Sequence, residues 1–159
     1  MLKSDMSLTF ERERLLDEVG CALLAALQEN ARTPFSELGR RVGLSAPAVA
    51  ERVRRMEDAG IVRGYRALLD PAALGLPLQA YIRITVRYGL YDAFAAQLDA
   101  LPEVLTADRV TGEDCYVLKV AVRDVTHLEG IINAINRYGE PVTSIILSSK
   151  VADRPLKPF

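Results

Sequence analysis

The stretch PFSELGRRVGLSAPAVAERVRRMED, residues 34–58, constrains this chain more than any other, because two short amphipathic segments meet at Gly43-Leu44-Ser45. Gly43 suits the left-handed residue that closes one helix. Ser45 suits the cap whose hydroxyl accepts from the free N–H groups opening the next. Val49, Val53 and Met56 recur at steps of four and three, so they share one helical face and are expected to pack on Leu38 and Val42. The spacing predicts a helix-turn-helix, whose two helices need a third to enclose a core.

In such a unit the second helix enters a DNA major groove. Here that helix is led by Ser45, Ala46 and Ala48, small enough for a backbone to sit deep in a groove, and continues with Glu51, Arg52 and Arg55. An arginine near the start can bind a guanine edge through two parallel hydrogen bonds, whereas one further along holds a phosphate and fixes register. The reading assigns Arg52 to bases or phosphate and Arg55 to phosphate. The alternative is an ordinary solvated face on a packed helix.

Charge bears on that choice. The net charge of −1 is unevenly spread: residues 31–66 hold eight arginines against four acids, while the flanking stretches are both acidic. A local basic patch can bind phosphate in a protein of acidic pI, and acidic flanks limit indiscriminate binding.

The 159 residues, half of them apolar, suffice for one medium domain or two small ones. No run approaches the roughly 20 apolar residues of a membrane span, and MLKSDMSLTFERERLL lacks the apolar stretch of a signal peptide, so a cytoplasmic protein is expected. Cys21 and Cys115 have no metal-ligand spacing, and reduced thiols are the default.

Periodicity divides the chain. Leu16, Val19, Leu23, Ala26 and Leu27 predict one helix over 13–29, Thr33-Pro34 opens the second, and Ile61-Val62-Arg63-Gly64-Tyr65 reads as the short strand of a winged variant. Asp70-Pro71 and Gly75-Leu76-Pro77 mark a connection. The expected division is a DNA-binding domain over 1–66, a hinge over 67–77 and a second domain over 78–159. In that second domain Leu78, Ala80, Ile82, Ile84 and Val86 alternate with polar residues, as in a strand with one buried face. Helical spacing at Phe94, Leu98 and Leu101 follows, then strands at 104–111 and 116–122. A helix carrying Leu128, Ile131, Ile132 and Ile135 and a strand at 142–149 complete the order β-α-β-β-α-β. The fold class is α+β, a winged helix-turn-helix followed by a ferredoxin-like βαββαβ domain. With both helices on one face of the sheet, the other is open either to a second subunit or to solvent.

Several long segments in order, LLDEVGCALLAALQENART, SELGRRVGLSAPAVAERVRRMEDAGIVRGYRALLDPAALGLPLQAYI, TGEDCYVLKVAVRD and VTSIILSSK, resemble the Lrp/AsnC family of bacterial and archaeal regulators, also called feast/famine regulatory proteins. The resemblance implies a sequence-specific DNA-binding regulator of transcription without catalytic activity. It also implies dimers formed through the C-terminal domain, assembly into tetramers or octamers, a palindromic operator and an amino acid effector. It places the ligand loop at Thr111, Gly112, Glu113, Asp114, Cys115 and Tyr116. In leucine-responsive members an aspartate directly precedes the tyrosine. Here Cys115 stands there, with Asp114 one position earlier, and a thiol cannot supply an aspartate's charge to a ligand ammonium. The residues alone also allow an ordinary acidic hairpin.

Two other classes are weighed. His127, the sole histidine, lies at a predicted helix start as a surface or capping residue, and Asp108, Glu113 and Asp114 read as a solvated acidic patch rather than a catalytic pair. No phosphate-cradling glycine loop, nucleophile elbow or zinc spacing occurs, so neither cofactor nor metal is expected. A ligand-independent DNA-organising protein and a small-molecule-binding accessory module are the remaining alternatives.

Overall fold

A computed structural model describes residues 12–113 and 115–157. The chain forms two units, Met1–Ala67 with Val151–Phe159, and Leu68–Lys150.

The first unit is helical, with α1 over Glu18–Glu29, α2 over Phe35–Val42 and α3 over Ala46–Asp58. The single helix expected over 13–29 is in fact two pieces. Residues 12–15 form one helical turn, the chain then bends, and Asp17 caps α1 by accepting from the Gly20 amide at 2.8 Å. An aspartate that satisfies a backbone amide in this way offers the chain an alternative to continuing the helix. The bend leaves no room at Gly20, where an added Cβ would lie 1.8 Å from the Leu15 carbonyl oxygen. It also buries Leu15, to 2% exposure, beside Met56 and Ala59.

Between α2 and α3 the chain turns as the residue types demand. Gly43 is left-handed (φ 71°, ψ 29°), the Leu44 amide donates to the Gly39 carbonyl at 2.9 Å, and Ser45 Oγ accepts from the Ala48 amide at 3.3 Å. Such a cap stabilises a helix by about 1 kcal/mol. Val49 and Val53 pack with Leu38, Leu23 and Leu27, and Val42 lies at the margin of that cluster. Each such side chain removed from water contributes roughly 1.5–3 kcal/mol.

The wing strand expected at 61–65 is absent, as residues 61–77 contain no strand. Apolar residues there had no partner strand to pair with. Ile61 and Val62 instead pack beside Met56, whose carbonyl accepts both their amides. Tyr65 donates to Glu57 at 2.8 Å, and desolvation together with that carboxylate pushes its phenol up to about 12.

The second unit contains β1 (Leu78–Val86), α4 (Tyr91–Asp99), β2 (Val104–Arg109), β3 (Tyr116–Val122), α5 (Val125–Asn136) and β4 (Gly139–Ile145). The sheet order is β2-β3-β1-β4 with every neighbouring pair antiparallel, which is the ferredoxin-like arrangement. Ala80, Ile82, Ile84 and Val86 are buried on the face that packs on Phe94, Leu128, Ile131 and Ile135, while Tyr81, Arg83 and Thr85 are exposed on the other. Strand β2 stops at Arg109, short of 111. Strand β4 starts at Gly139 and ends at Ile145, where the sequence suggested 142–149. Pro141 sits opposite Ile84, on an edge strand where its missing N–H costs little.

The stretch 151–157 follows the last strand of the sheet unit. It groups with the helical unit, where the Gln28 side-chain amide accepts from the Leu156 N–H at 2.7 Å and donates to its carbonyl at 2.9 Å.

Gly20→Ala places a methyl group against backbone that cannot swing aside, so it is expected to cost about 1–3 kcal/mol, read as a lowered urea midpoint at unchanged slope. An unchanged midpoint would show that the bend before α1 is not held as described.

Candidate functional site

Helix α3 presents its residues unequally. Val49, Val53 and Met56 are inward, while Pro47, Ala48, Glu51, Arg54 and Asp58 are exposed and Ala46 and Arg55 are half-buried. Ser45 is exposed, but its hydroxyl is engaged by the Ala48 amide. Ser45, Ala46 and Ala48 thus form a small-residue opening turn, with Glu51 beyond it.

Arg52 does not stand out into solvent as the sequence reading expected of a base-contacting group. Its side chain is 23% exposed and its guanidinium is ion-paired with Asp17, the residue that caps α1. The Gly20 amide, then the Arg52 guanidinium, hold the Asp17 carboxyl below its usual value. The sequence reading passed over Arg54, which is 59% exposed. It donates to Glu51 through Nε (3.1 Å) and Nη2 (2.8 Å), and to Asp58 through Nη1 (2.7 Å). These contacts lower the pKa of Glu51 and raise that of Arg54. A helical wheel drawn at about 100° per residue would have found it: Arg52 falls about 70° from the mean direction of the core residues, Arg54 about 130°.

The hairpin between β2 and β3 carries Thr111, Gly112, Glu113, Cys115 and Tyr116, while Asp114 lies outside the described residues. Gly112 adopts φ 115°, a conformation that side-chain-bearing residues rarely take. The loop is tied to β1, since Thr85 Oγ1 donates to the Glu113 carbonyl at 2.9 Å and the Cys115 amide to the Ile84 carbonyl at 3.1 Å. Thr111, Gly112 and Glu113 are exposed. Tyr116 is turned into the core, its ring edge-on to Phe94 at 5.2 Å.

Two residues the sequence did not single out complete the surroundings. Tyr91, at the start of α4, brings its hydroxyl to 3.9 Å from Cys115 Sγ, and the Arg109 guanidinium lies over the Tyr91 ring at 5.4 Å. The neighbouring thiol holds the Tyr91 phenol above its ordinary value. A phenol, a thiol and a guanidinium therefore adjoin a loop of exposed backbone and the Glu113 side chain, groups able to hydrogen-bond a small polar molecule. No spacing rule brings Tyr91 to Cys115; only the fold does.

His127 has partners the sequence did not show. Its amide donates to Asp124, its Nδ1 accepts from the Arg123 amide, and its Nε2 lies 2.9 Å from Glu103. Asp124, not His127, caps α5; His127 stands in the first turn with its side chain 16% exposed and ties that helix to the turn before β2. Among the described residues no cluster of His, Cys, Asp and Glu could hold a metal ion, and no helix is long and apolar enough to cross a membrane.

A helix-turn-helix unit and a separate βαββαβ unit with an elaborated hairpin define a class of two-unit transcriptional regulators. An AsnC-type helix-turn-helix domain matches residues 16–57, and a Lrp/AsnC ligand binding domain matches residues 79–156. The chain belongs to the Lrp/AsnC family. It is 34% identical over 133 residues to the HTH-type transcriptional regulator LrpC of Bacillus subtilis, covering 84% of this chain and 92% of that protein. A transcriptional regulator of Neisseria meningitidis, solved with L-Met, superposes with a TM-score of 0.82 at 34% identity, over 89% of this chain and 96% of that one. A feast or famine regulatory protein of Mycobacterium tuberculosis, complexed with L-methionine, gives a TM-score of 0.82 at 36% identity, over 90% and 99% of the two chains.

The Asp17–Arg52 pair carries a pH signature. Because the folded-state pKa of Asp17 is depressed below 3.8, its contribution is present above that value and is lost as pH falls through the folded pKa. Asp17→Asn is expected to lower the melting temperature at neutral pH, with the gap to wild type closing as pH falls below 3.8. A gap independent of pH would mean that the charge of Asp17 does not carry the contact.

Proposed function

We infer that this protein regulates transcription by binding double-stranded DNA through α3, that its sheet unit assembles the oligomer, and that an amino acid or related small metabolite binds near the 111–116 hairpin. The observation carrying the DNA reading is the opening turn of α3, where Ser45, Ala46, Pro47 and Ala48 present only short side chains ahead of a charged face. Small residues at a helix start allow close approach to base edges, and arginines beyond them supply hydrogen-bond donors. A homodimer would present two such helices to half-sites about 34 Å apart or a multiple of it, which favours a palindromic operator.

The open face of the sheet supports dimerisation. Tyr81 and Val142 are 44% and 50% exposed there, beside polar Arg83 and Thr85. Such a mixed surface suits a cover made by a second copy, with tetramers or octamers built from those dimers. The effector reading is supported by the two relatives solved with methionine and by the polar groups around Cys115. Cytoplasmic placement, where DNA and amino acids are both available, fits this role, and no catalytic step is assigned.

Binding to a randomised duplex pool of about 30 base pairs, followed over salt, tests the DNA reading. A protein making 6–10 phosphate contacts loses about 10³-fold or more in affinity between roughly 50 and 200 mM salt. A flat salt response would remove DNA as the partner, whereas steep binding without any enriched sequence would favour a DNA-organising protein.

The effector is sought by thermal stability against the twenty amino acids, L-methionine first. A ligand at 100 times its dissociation constant stabilises by about 2.7 kcal/mol, a shift of several degrees. No shift with any of them would leave the 111–116 hairpin without an amino acid role.

A further inference from the structure

We propose that Arg54 is the base-reading arginine of α3, that Glu51 is its built-in competitor, and that Arg52 is a positioning residue that does not touch DNA. The proposal rests on the DNA-binding reading above and deepens it by assigning the contacts within the helix.

The assignment of Arg52 follows from where its guanidinium is spent. It pairs with Asp17, and the same carboxylate oxygen accepts from the Gly20 amide at 2.8 Å, so withdrawing Arg52 toward DNA would break the contact between α3 and the cap of α1. Its Nε is buried with no partner. The group is thus held against the protein by a charge pair and by burial, at 23% exposure. A residue so placed braces α3 against the start of α1.

Arg54 is the opposite case. It projects from the outer face of α3 at 59% exposure, and nothing in its contacts reaches the core. Its geometry is already that of base recognition. Nε and Nη2 donate side by side to the two oxygens of Glu51, at 3.1 and 2.8 Å. Guanine offers the same kind of paired acceptor through O6 and N7 in the major groove, and a planar fork reads it with a specificity a point charge lacks. Glu51 therefore stands in for the guanine edge while DNA is absent, and Asp58 holds the remaining Nη1 at 2.7 Å.

The arrangement accounts for an acidic residue in the middle of a DNA-facing helix. A carboxylate beside phosphates is repulsive, so an Arg54 kept on Glu51 gives little affinity for arbitrary sequence. A guanine that accepts both hydrogen bonds can replace Glu51 as partner, and the freed carboxylate can in turn accept from a neighbouring cytosine amino group. Sequence preference then arises from competition between a base edge and an internal carboxylate.

The test compares base preferences, with the randomised duplex pool as probe and sequencing of the bound fraction as readout. Wild type is expected to enrich a motif with guanine at one position of each half-site. Arg54→Ala and Arg54→Lys should lose that guanine preference about tenfold or more while the remaining positions persist. Glu51→Gln should strengthen binding to unselected duplex and narrow the ratio between selected and unselected sequences. Arg52→Ala should lower the melting temperature and leave the pattern of preferences intact. Should it fail to fold, Asp17→Asn, which frees Arg52 without deleting it, must likewise leave the pattern intact.

Two results would overturn the assignment. One is a pattern that changes with Arg52→Ala or Asp17→Asn but not with Arg54→Ala. The other is an Arg54→Ala variant that weakens all sequences equally and reduces the salt slope by about one, the mark of a phosphate contact. Failure of wild type to bind any duplex would instead overturn the DNA-binding reading beneath it.

Discussion

A single carboxylate oxygen joins the parts of the helical unit on which everything else depends. Asp17 Oδ1 accepts the Gly20 amide that opens α1 and the Arg52 guanidinium from the middle of α3. The first bond decides where α1 begins, because it ends the preceding turn and folds Leu15 back over Gly20. The second fixes α3 relative to α1, alongside the apolar packing of Val49 and Val53. Apolar contact alone leaves a helix some freedom to roll, since side chains of similar size can exchange places in a groove. A charged, directional contact at one flank adds a preferred seating to that packing.

Much of the fold was legible in the residues because the relevant physics is local or periodic. The Gly43 turn, the Ser45 cap, the inward set Val49, Val53 and Met56, and the alternation from Ala80 to Val86 all emerge from short-range rules, and each is found in place. The misreadings occur where two local rules compete. Leu16 and Val19 continued a helical period through Asp17, but the carboxylate preferred a cap to a place inside a helix. Ile61 to Tyr65 had strand composition without a strand to meet; Ile61 and Val62 pack beside Met56 instead, and Tyr65 turns to Glu57. Strand β4 begins at Gly139 rather than at 142, and Pro141 is tolerated in it because β4 is an edge.

The two candidate sites were legible to different degrees for the same reason. On α3 the helix itself determines which way each residue points, so Arg54 could have been found from angular position alone. Arg52 could not have been matched to Asp17, which lies 35 residues away. Around the hairpin, local sequence marks only the loop. Thr85, Tyr91 and Arg109 arrive from β1, α4 and the end of β2, and their conjunction with Cys115 is a product of sheet order. Cys115 thereby acquires a context: its neighbour is a phenol.

The pairing of Gln28 with Leu156 means that the helical unit is not continuous along the chain. During synthesis α1, α2 and α3 emerge early, yet the backbone that occupies the Gln28 amide is made only after the whole sheet unit has been polymerised. Until then that amide has only the Leu24 carbonyl of its own helix, at 3.3 Å, as a partner within the unit. The last contact of the first-made unit is therefore also a record that the second has been completed.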